Sequence, residues 1–435
     1  MKSKNQSIRA TKNNMKNSTQ MQQTNSSISS KVVSIISTIL PKYNNQLLLL
    51  EQCRFKIPGF DYDEGICAIT LNGVGFLTES TKDRYFLVAF FNILSLTKFV
   101  LSQNDDESLY LETSDVQITV YSENLIHISR IIFRNYSLAT MLIPNQVKLQ
   151  FEVYDNSLFP TPPLPFSLSQ AFQYRYSAIS SQNRLEYNHS VVQYFHSLMK
   201  THNPIFNFKH LPTTVQSDQI GSIISSLIDI PAIAGISCRN SDTPSILLDI
   251  CPLIEQSKYI KSIKLMNCNV SEGINEIAEA FSVNTSIPLQ QLYLNDNDFE
   301  DLNPLINSLA SLETQLTHLS LTETGLNEES LELFGQSLLQ AESLQHLTYL
   351  GIGGSEFSGD YVSNFVKYIQ TNKNLTELDI SGSKDFSSIL AIISKSQITT
   401  LNLADCIFDD QSVQLLMNAS QYISSLDLSG CNLNY

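Results

Sequence analysis

Residues 375–383 read LTELDISGS, and the same spacing of apolar residues returns at seven other places between residues 233 and 431. The clearest copies fit LxxLxLxxN/C with a loose final position: LTYLGIGGS at 347–355, ITTLNLADC at 398–406 and ISSLDLSGC at 423–431. The other copies are IAGISCRNS at 233–241, which is degenerate, IKSIKLMNC at 260–268, LQQLYLNDN at 289–297 and LTHLSLTET at 316–324. Self-similarity of this kind predicts a repeat architecture.

The second apolar position of each copy sets the repeat length. It falls at Ile236, Ile263, Leu292, Leu319, Leu350, Leu378, Leu401 and Leu426, so the copies are 27, 29, 27, 31, 28, 23 and 25 residues apart. The mean of about 27 lies in the range of leucine-rich repeats. Between copies, EGINEIAEAFSVN and EESLELFGQSLLQA carry apolar residues three and four apart, as amphipathic helices do. The predicted fold class is an α/β leucine-rich-repeat solenoid of strand, turn and helix, a horseshoe like that of ribonuclease inhibitor.

The last position of the motif explains several cysteines. In such a repeat the apolar residues stack on their copies, and the terminal Asn or Cys is buried in the turn, where it satisfies backbone groups. We therefore interpret Cys268, Cys406 and Cys431 as structural thiols, since no CxxC pair occurs in the sequence.

The residues that flank the leucines predict the binding surface. Side chains alternate between the two faces of a strand, so these residues project from the concave face of the sheet. They are mostly polar or acidic and include two tyrosines that could act as anchors. The candidate protein-binding residues are Tyr293, His318, Tyr349, Glu377, Asp379, Asn402 and Asp427. Such a face favours a basic partner segment, although an acidic face is also what an ordinary hydrated surface would carry.

The last copy has a strand but no helix after it before Tyr435. Repeat arrays need a polar cap, because an uncapped end exposes its core to water. We therefore expect the 435 residues to be the N-terminal part of a longer protein or an incomplete gene model.

Charge is distributed unevenly along the chain. The net charge is −15, yet residues 1–50 hold seven Lys or Arg and no acid, which leaves about −22 for the rest. Residues 1–42 are interpreted as a disordered, basic, Asn/Ser/Gln-rich leader, with attraction to an anionic surface as the alternative. The acidic body argues against nucleic acid as a ligand. The leader has no apolar signal core and no apolar run reaches a membrane span, so a cytoplasmic protein is expected.

The region before the repeats has a different pattern. Residues 43–143 contain short β-rich stretches, among them LLLLEQCRFKI and VQITVYS, and they end in ENLIHISRIIFRNY, whose apolar residues have helical spacing. Several strands closed by one helix predict a small pleckstrin-homology-like domain. Its candidate lipid-binding rim is Arg54, Lys56, Lys82 and Arg84, and ordinary surface placement is the alternative.

The remaining boundaries follow from composition. LFPTPPLPF, at 158–166, has four prolines in six residues and marks a linker over residues 144–183. Residues 184–230 mix a helix around SVVQYFHSLMK with FNFKHLP and SDQIGSIISSLID, and we interpret them as the N-terminal cap of the repeats. Residues 231–435 then hold about eight repeats, the last of them incomplete.

This order of parts resembles the CARMIL family, the linkers of capping protein, Arp and myosin I. FNILSLTKFVLSQNDDESLYLETSD resembles the strand pair before the family's helix, FNFKHLP with SDQIGSIISSLID resembles its cap, and LTYLGIGGS and LTELDISGS resemble its repeats. The resemblance covers residues 50–435. It implies a scaffold at the cell cortex whose head lies on the plasma membrane, with actin-regulatory proteins as partners and with a homodimer if the chain continues. The family's capping-protein motif, helical segment and Pro-rich tail are absent from this sequence.

The sequence offers no pattern typical of an enzyme. The seven histidines form no HExxH, and GxSxG, Walker and dinucleotide motifs are absent, so neither catalysis nor a cofactor is expected. Two other functions remain open: a Ran-activator-like regulator of a GTPase, and a leucine-rich-repeat interaction protein with no link to actin. The β-rich region before Pro160 argues against the first, which would be a solenoid alone.

Overall fold

The computed structural model describes residues 28–40, 46–82, 84–103, 107–141, 149–160, 167–240, 245–270, 272–357 and 359–431. The chain divides into two compact units. The N-terminal unit comprises Met1–Met141 and Gln146–Tyr187, and the C-terminal unit comprises Leu142–Asn145 and Asn188–Tyr435. Each contains one sheet and several helices, which makes the protein an α/β protein.

The described part of the N-terminal unit is built on an eight-stranded sheet in the order β4-β3-β2-β1-β7-β6-β5-β8. All neighbouring strands are antiparallel except β5 and β8, which are parallel. The strands are β1 Leu47–Ile57, β2 Phe60–Thr70, β3 Gly73–Thr81, β4 Arg84–Asn92, β5 Lys98–Ser102, β6 Ser108–Glu112, β7 Gln117–Tyr121 and β8 Gln150–Val153. The helices are α1 Ser30–Ile39, α2 Leu125–Thr140 and α3 Leu168–Gln182. The sequence predicts several strands closed by one helix for residues 43–143, and the structure has seven strands followed by α2 there.

Strand β1 is covered on both faces. Leu49, Cys53 and Phe55 belong to the main core, which includes Ile128 and Ile132 of α2. Leu47 and Leu50 belong to a second core with Ile36 and Leu40 from the α1 region. A strand buried on both faces has no polar alternation, which explains the continuous apolar run LLLL.

The prediction that residues 1–42 are a disordered leader is wrong for residues 30–39, which form α1. Ser29 caps this helix by accepting a hydrogen bond from the Val32 backbone N–H at 3.4 Å. Ile36 is fully buried, because apolar residues three and four apart in SKVVSIISTI give the helix one face to pack on the sheet. Residues 1–27 lie outside the described residues.

The segment predicted as a linker, 144–183, contains β8 and α3, and both belong to the N-terminal unit. The Arg175 side chain of α3 is fully buried and donates from Nε to the Ala139 carbonyl at 3.2 Å and from Nη2 to the Met141 carbonyl. A cation at the C-terminal end of α2 meets carbonyls that have no partner within that helix. The proline content of this segment predicted a domain boundary, but it did not indicate the apolar face of α3. Residues 161–166, which make up most of the Pro-rich run, lie outside the described residues.

In its described residues, the C-terminal unit is built on nine parallel strands, hydrogen-bonded in sequence order from β9 to β17. They are β9 Ile205–Asn207, β10 Gly235–Arg239, β11 Ser262–Met266, β12 Gln291–Tyr293, β13 His318–Ser320, β14 Tyr349–Gly351, β15 Glu377–Asp379, β16 Thr400–Asn402 and β17 Ser425–Asp427. The helices are α4 His189–Thr201, α5 Ile220–Leu227, α6 Ile246–Gln256, α7 Ile274–Val283, α8 Asn303–Ala310, α9 Glu328–Gln340, α10 Val362–Thr371, α11 Ser387–Leu390 and α12 Asp410–Ala419.

The register aligns the predicted repeats with one another. The eight residues from Ile236 to Leu426 that set the repeat length stand opposite each other in adjacent strands. Phe206 of β9 extends this row by one strand. Strand β9 lies inside the predicted cap 184–230, where the sequence has no copy of the motif.

The turns after strands β10 to β17 share one backbone conformation. The residue four places after each aligned position has a φ between 50° and 76°: Asn240, Asn267, Asp296, Glu323, Gly354, Gly382, Asp405 and Gly430. The next residue points into the core in several repeats. Cys268 Sγ donates to the Cys238 carbonyl at 3.4 Å, Cys406 to Ile380 at 3.3 Å and Cys431 to Leu403 at 2.9 Å. The three cysteines thus have the backbone-satisfying contacts predicted for structural thiols.

Within the described residues, no helix combines the length and the apolar character that crossing a membrane requires.

Candidate functional site

Three aromatic rings lie side by side on the sheet face opposite the leucines of the C-terminal unit. They are Tyr293 of β12, His318 of β13 and Tyr349 of β14. Their ring centroids are 5.7 Å apart for Tyr293 and Tyr349, 6.0 Å for His318 and Tyr349, and 6.3 Å for Tyr293 and His318. All three are half-buried. We call these three residues the aromatic row; strand alternation places them outward, as the sequence predicts.

Opposite charges flank the aromatic row. On one side, Lys264 Nζ of β11 lies 4.6 Å from the centre of the Tyr293 ring, which is a cation–π contact. On the other side, Glu377 of β15 stands opposite Tyr349 in the register, and Tyr349 OH lies 3.5 Å from Asp379 Oδ2. A ligand on this face therefore meets a positive end, an aromatic centre and an acidic end.

Burial keeps the rings of the aromatic row neutral. Burial raises the pKa of Tyr349, and burial together with the nearby Glu377 raises the pKa of Tyr293. Burial lowers the pKa of His318 from 6.5; Glu377 opposes that shift and Lys264 adds to it. Uncharged rings can present both a flat apolar face and hydrogen-bonding groups to a partner.

A glycine makes room for the hydroxyl of Tyr349. A Cβ at Gly351 would collide with Ser320 Oγ and would lie 3.0 Å from Tyr349 OH. The Tyr349 hydroxyl lies 3.4 Å from Ser320 Oγ. Lys264, Ser320 and Gly351 were missed as site residues from the sequence, although each occupies a flanking position of the repeat motif and could have been found there.

The other predicted residues hold turns. Asp379, Asn402 and Asp427 stand opposite one another in adjacent strands. Their Oδ1 atoms accept backbone N–H groups two residues on, from Ser381 at 3.0 Å, Ala404 at 3.0 Å and Ser429 at 2.9 Å. The seven predicted residues therefore form two groups. The residues from Tyr293 to Asp379 form an aromatic and acidic surface, and those from Asp379 to Asp427 hold turns, so that Asp379 belongs to both groups.

Two residues of the predicted basic rim, Lys56 and Arg54, contact other side chains. Lys56 Nζ forms an ion pair with Asp61 Oδ2 at 2.7 Å, and the Arg54 guanidinium lies 4.4 Å from the centre of the Tyr121 ring. Lys82 and Arg84 flank the turn between β3 and β4, and β2 separates these strands from β1. Arg54 also lines a cleft whose other charged residues are acidic.

Candidate groups for catalysis are scarce in the described part of the chain. There, no cluster of three or more His, Cys, Asp or Glu side chains could hold a metal ion. Burial raises the pKa of Cys53 to about 12 and of Cys251 and Cys406 to about 11. Thiols with such pKa values stay protonated at neutral pH and are poor nucleophiles.

No protein-family model and no curated protein sequence matches this chain. A solved structure that aligns with it is the crystal structure of a structural-genomics target from Bacteroides fragilis. The alignment covers 77% of this chain and 96% of that chain, with 11% sequence identity and a TM-score of 0.33. Similarity at this level assigns neither a family nor a function.

Proposed function

We propose that this protein is a non-enzymatic scaffold that binds a segment of a partner protein on the outward sheet face of its C-terminal unit. The aromatic row is the observation that carries the proposal. Half-buried tyrosines on a rigid surface lose little conformational entropy on binding and are enriched at the centres of interfaces. Because the strands hold the three rings in place, the surface is organised before the partner arrives.

The fold supports this proposal when it is interpreted as a leucine-rich-repeat solenoid. Nine parallel strands in sequence order, with a helix between successive strands, are the arrangement expected of stacked strand-turn-helix repeats. Seven antiparallel-paired strands before α2 likewise support a pleckstrin-homology-like head. Strand β8 and α3 are additions that this head fold does not require. Repeat proteins use their extended sheet face as a binding surface.

The charges around the aromatic row define the partner's chemistry. Glu377 and Asp379 favour a Lys or Arg at one end of the partner segment, and Lys264 disfavours a basic residue at the other end. We expect an extended segment with an apolar or aromatic residue over the rings and a basic residue beside Glu377. The net charge of −15 adds a general attraction for basic partners.

The cortical part of the expectation rests on the resemblance to CARMIL. We propose an actin-regulatory protein as the partner, and a measurement of direct binding between this protein and capping protein would test that proposal. The membrane part has less geometric support, because Lys56 is paired with Asp61 and Arg54 lies among acidic residues. Sedimentation of the full chain with anionic vesicles at low salt tests it, and absence of binding would contradict it.

Selection from a displayed library of short random peptides tests the protein-binding proposal. The wild-type chain should enrich peptides that combine a basic and an aromatic residue, and Tyr349→Ala should abolish that enrichment. Glu377→Lys should instead select acidic residues at the corresponding position, because the substitution reverses the charge there. Glu329→Gln, on helix α9, is the matched control and should select like the wild type. If the enriched peptides are the same for Tyr349→Ala, the aromatic row is not the binding surface.

A further inference from the structure

A second charged feature lies in the N-terminal unit, where β7 ends beside β1. Arg54 to Lys56 of β1 pair with β7, and a cleft of about 660 Å³ lies beyond Arg54. Five carboxylate side chains line it: Glu51, Asp63, Glu64, Glu79 and Glu123. We call this feature the acidic cleft. Among the described residues that line it, the basic one is Arg54, which lies against the Tyr121 ring.

Glu51 makes the acidic cleft more than a cluster of surface acids. Its side chain is 5% exposed, and one carboxylate oxygen accepts a hydrogen bond from Asn124 Nδ2. The other oxygen, Oε2, is buried and has no hydrogen-bond partner among the described residues. A buried carboxylate oxygen without a donor is costly, so the site is incomplete without a cationic or donor group from elsewhere.

The lining selects the class of ligand. Five carboxylates disfavour a phosphate or another anion by like-charge repulsion. No group of side chains in the described part of the chain has the arrangement needed for a metal ion. The ammonium group of lysine or the guanidinium group of arginine suits this lining, since each is positive and carries several N–H donors at the end of a long apolar stem.

One source of such groups is the chain itself. Residues 1–27 carry Lys2, Lys4, Arg9, Lys12 and Lys16 and no Asp or Glu. Ile28, the residue that follows them, lines the acidic cleft. The covalent connection keeps these side chains near the cleft at a high effective concentration. We propose that the acidic cleft binds a lysine or arginine side chain from residues 1–27, with Glu51 as the buried acceptor.

Carbodiimide cross-linking of the full-length chain tests this, because it joins lysine amines directly to carboxylates that touch them. Mass spectrometry should find cross-links from Lys2, Lys4, Lys12 or Lys16 to Asp63, Glu64 or Glu123. Exposed carboxylates outside the cleft, such as Asp115, should give few. The yield should fall in about 1 M NaCl, where charges are screened beyond about 3 Å. In an equimolar mixture of isotopically light and heavy chains, the cross-links should join residues of the same chain and should not join a light chain to a heavy one.

Two variants keep the test decisive. Glu51→Gln should lower the yield of cross-links at Asp63 and Glu64. Glu123→Gln should lower the yield of these cross-links by about threefold, which is the size of effect expected for an exposed ion pair. Glu123 is exposed, so this variant keeps the fold if Glu51→Gln does not. Asp115→Asn is the matched control and should change nothing. Cross-links spread evenly over acidic surfaces, links mainly between light and heavy copies, or yields unaffected by both cleft variants would each overturn the proposal.

Discussion

Buried polar residues hold adjacent repeats together at single positions. Asn297 is 2% exposed. Its Oδ1 accepts the Cys268 backbone N–H at 3.0 Å, and its Nδ2 donates to the Leu265 carbonyl at 3.0 Å. Both partners belong to the preceding repeat, so one buried amide satisfies a backbone donor and a backbone acceptor there.

We expect Asn297→Ala to destabilise the protein by about 3 kcal/mol, because several buried backbone groups would lose their partners together. Urea unfolding, followed by the midpoint, measures the loss. Asn307→Ala, at an exposed position on α8, is the control and should stay within about 0.5 kcal/mol. Equal midpoints for the two variants would mean that the bonds of Asn297 contribute little to stability.

His318 should titrate below its ordinary pKa of 6.5, because burial disfavours the imidazolium. The unfolded chain takes up this proton at a higher pH than the folded chain. The neutral ring's contribution to stability is thus complete above pH 6.5 and is lost as the pH falls through the folded pKa. Titration by NMR checks the value. Glu377→Gln should lower the pKa of His318 further and Lys264→Gln should raise it; shifts in the reverse directions would contradict the proposed charge arrangement.

At the scale of the element, each turn after strands β10 to β17 contains one left-handed residue. The residue at this position is Asn, Asp, Glu or Gly. All of these except Glu adopt the left-handed conformation easily. At Gly382, φ is 64°, and an added Cβ would also lie 2.7 Å from Glu323 Oε1. The turn therefore constrains both the residue type and the space around it.

Gly382→Ala should destabilise the protein by about 1–2 kcal/mol, the cost of a left-handed conformation for a residue with a Cβ. Asp405→Asn occupies the equivalent place, keeps a tolerant side chain and should stay within about 0.5 kcal/mol. Thermal unfolding of the two variants distinguishes them. An alanine that is neutral at residue 382 would show that the turn can adopt another conformation.

At the scale of the whole molecule, the C-terminal unit has one sheet in which every inner strand pairs with the strand before it and the strand after it in sequence. If the unit is the solenoid proposed above, its interactions act mainly between neighbouring repeats. Leu319 is fully buried in β13, at the middle of the nine strands. A destabilising substitution at Leu319 should therefore reduce the stability of the adjacent strands most.

We expect Leu319→Ala to cost about 2–5 kcal/mol through lost burial and a cavity. Native-state hydrogen exchange should show the largest loss of protection in β12, β13 and β14 and the smallest in β9. His318→Ala changes the neighbouring outward residue instead and should leave protection of the core strands nearly unchanged. An equal loss across all nine strands would indicate that this unit opens as a single block.

The sequence by itself determined the repeat, its length, the aligned apolar row and the outward direction of Tyr293, His318 and Tyr349. These properties depend on residue spacing within one strand and on the strand's alternation. It also indicated that several strands precede one helix in the N-terminal unit, but it did not give their number. The linker assignment failed because helix α3 packs against residues distant in sequence, as Arg175 does with Ala139.

Only the tertiary structure decided which side chains meet. Lys264, Tyr293 and Tyr349 come from three strands spread over 86 residues of chain, and parallel pairing alone brings them into one charged and aromatic surface. The acidic cleft likewise combines residues of β1 and β2 with those that follow β7. Local spacing fixes the direction in which a side chain points, but contact between distant residues depends on strand register and packing, which no short stretch of sequence contains.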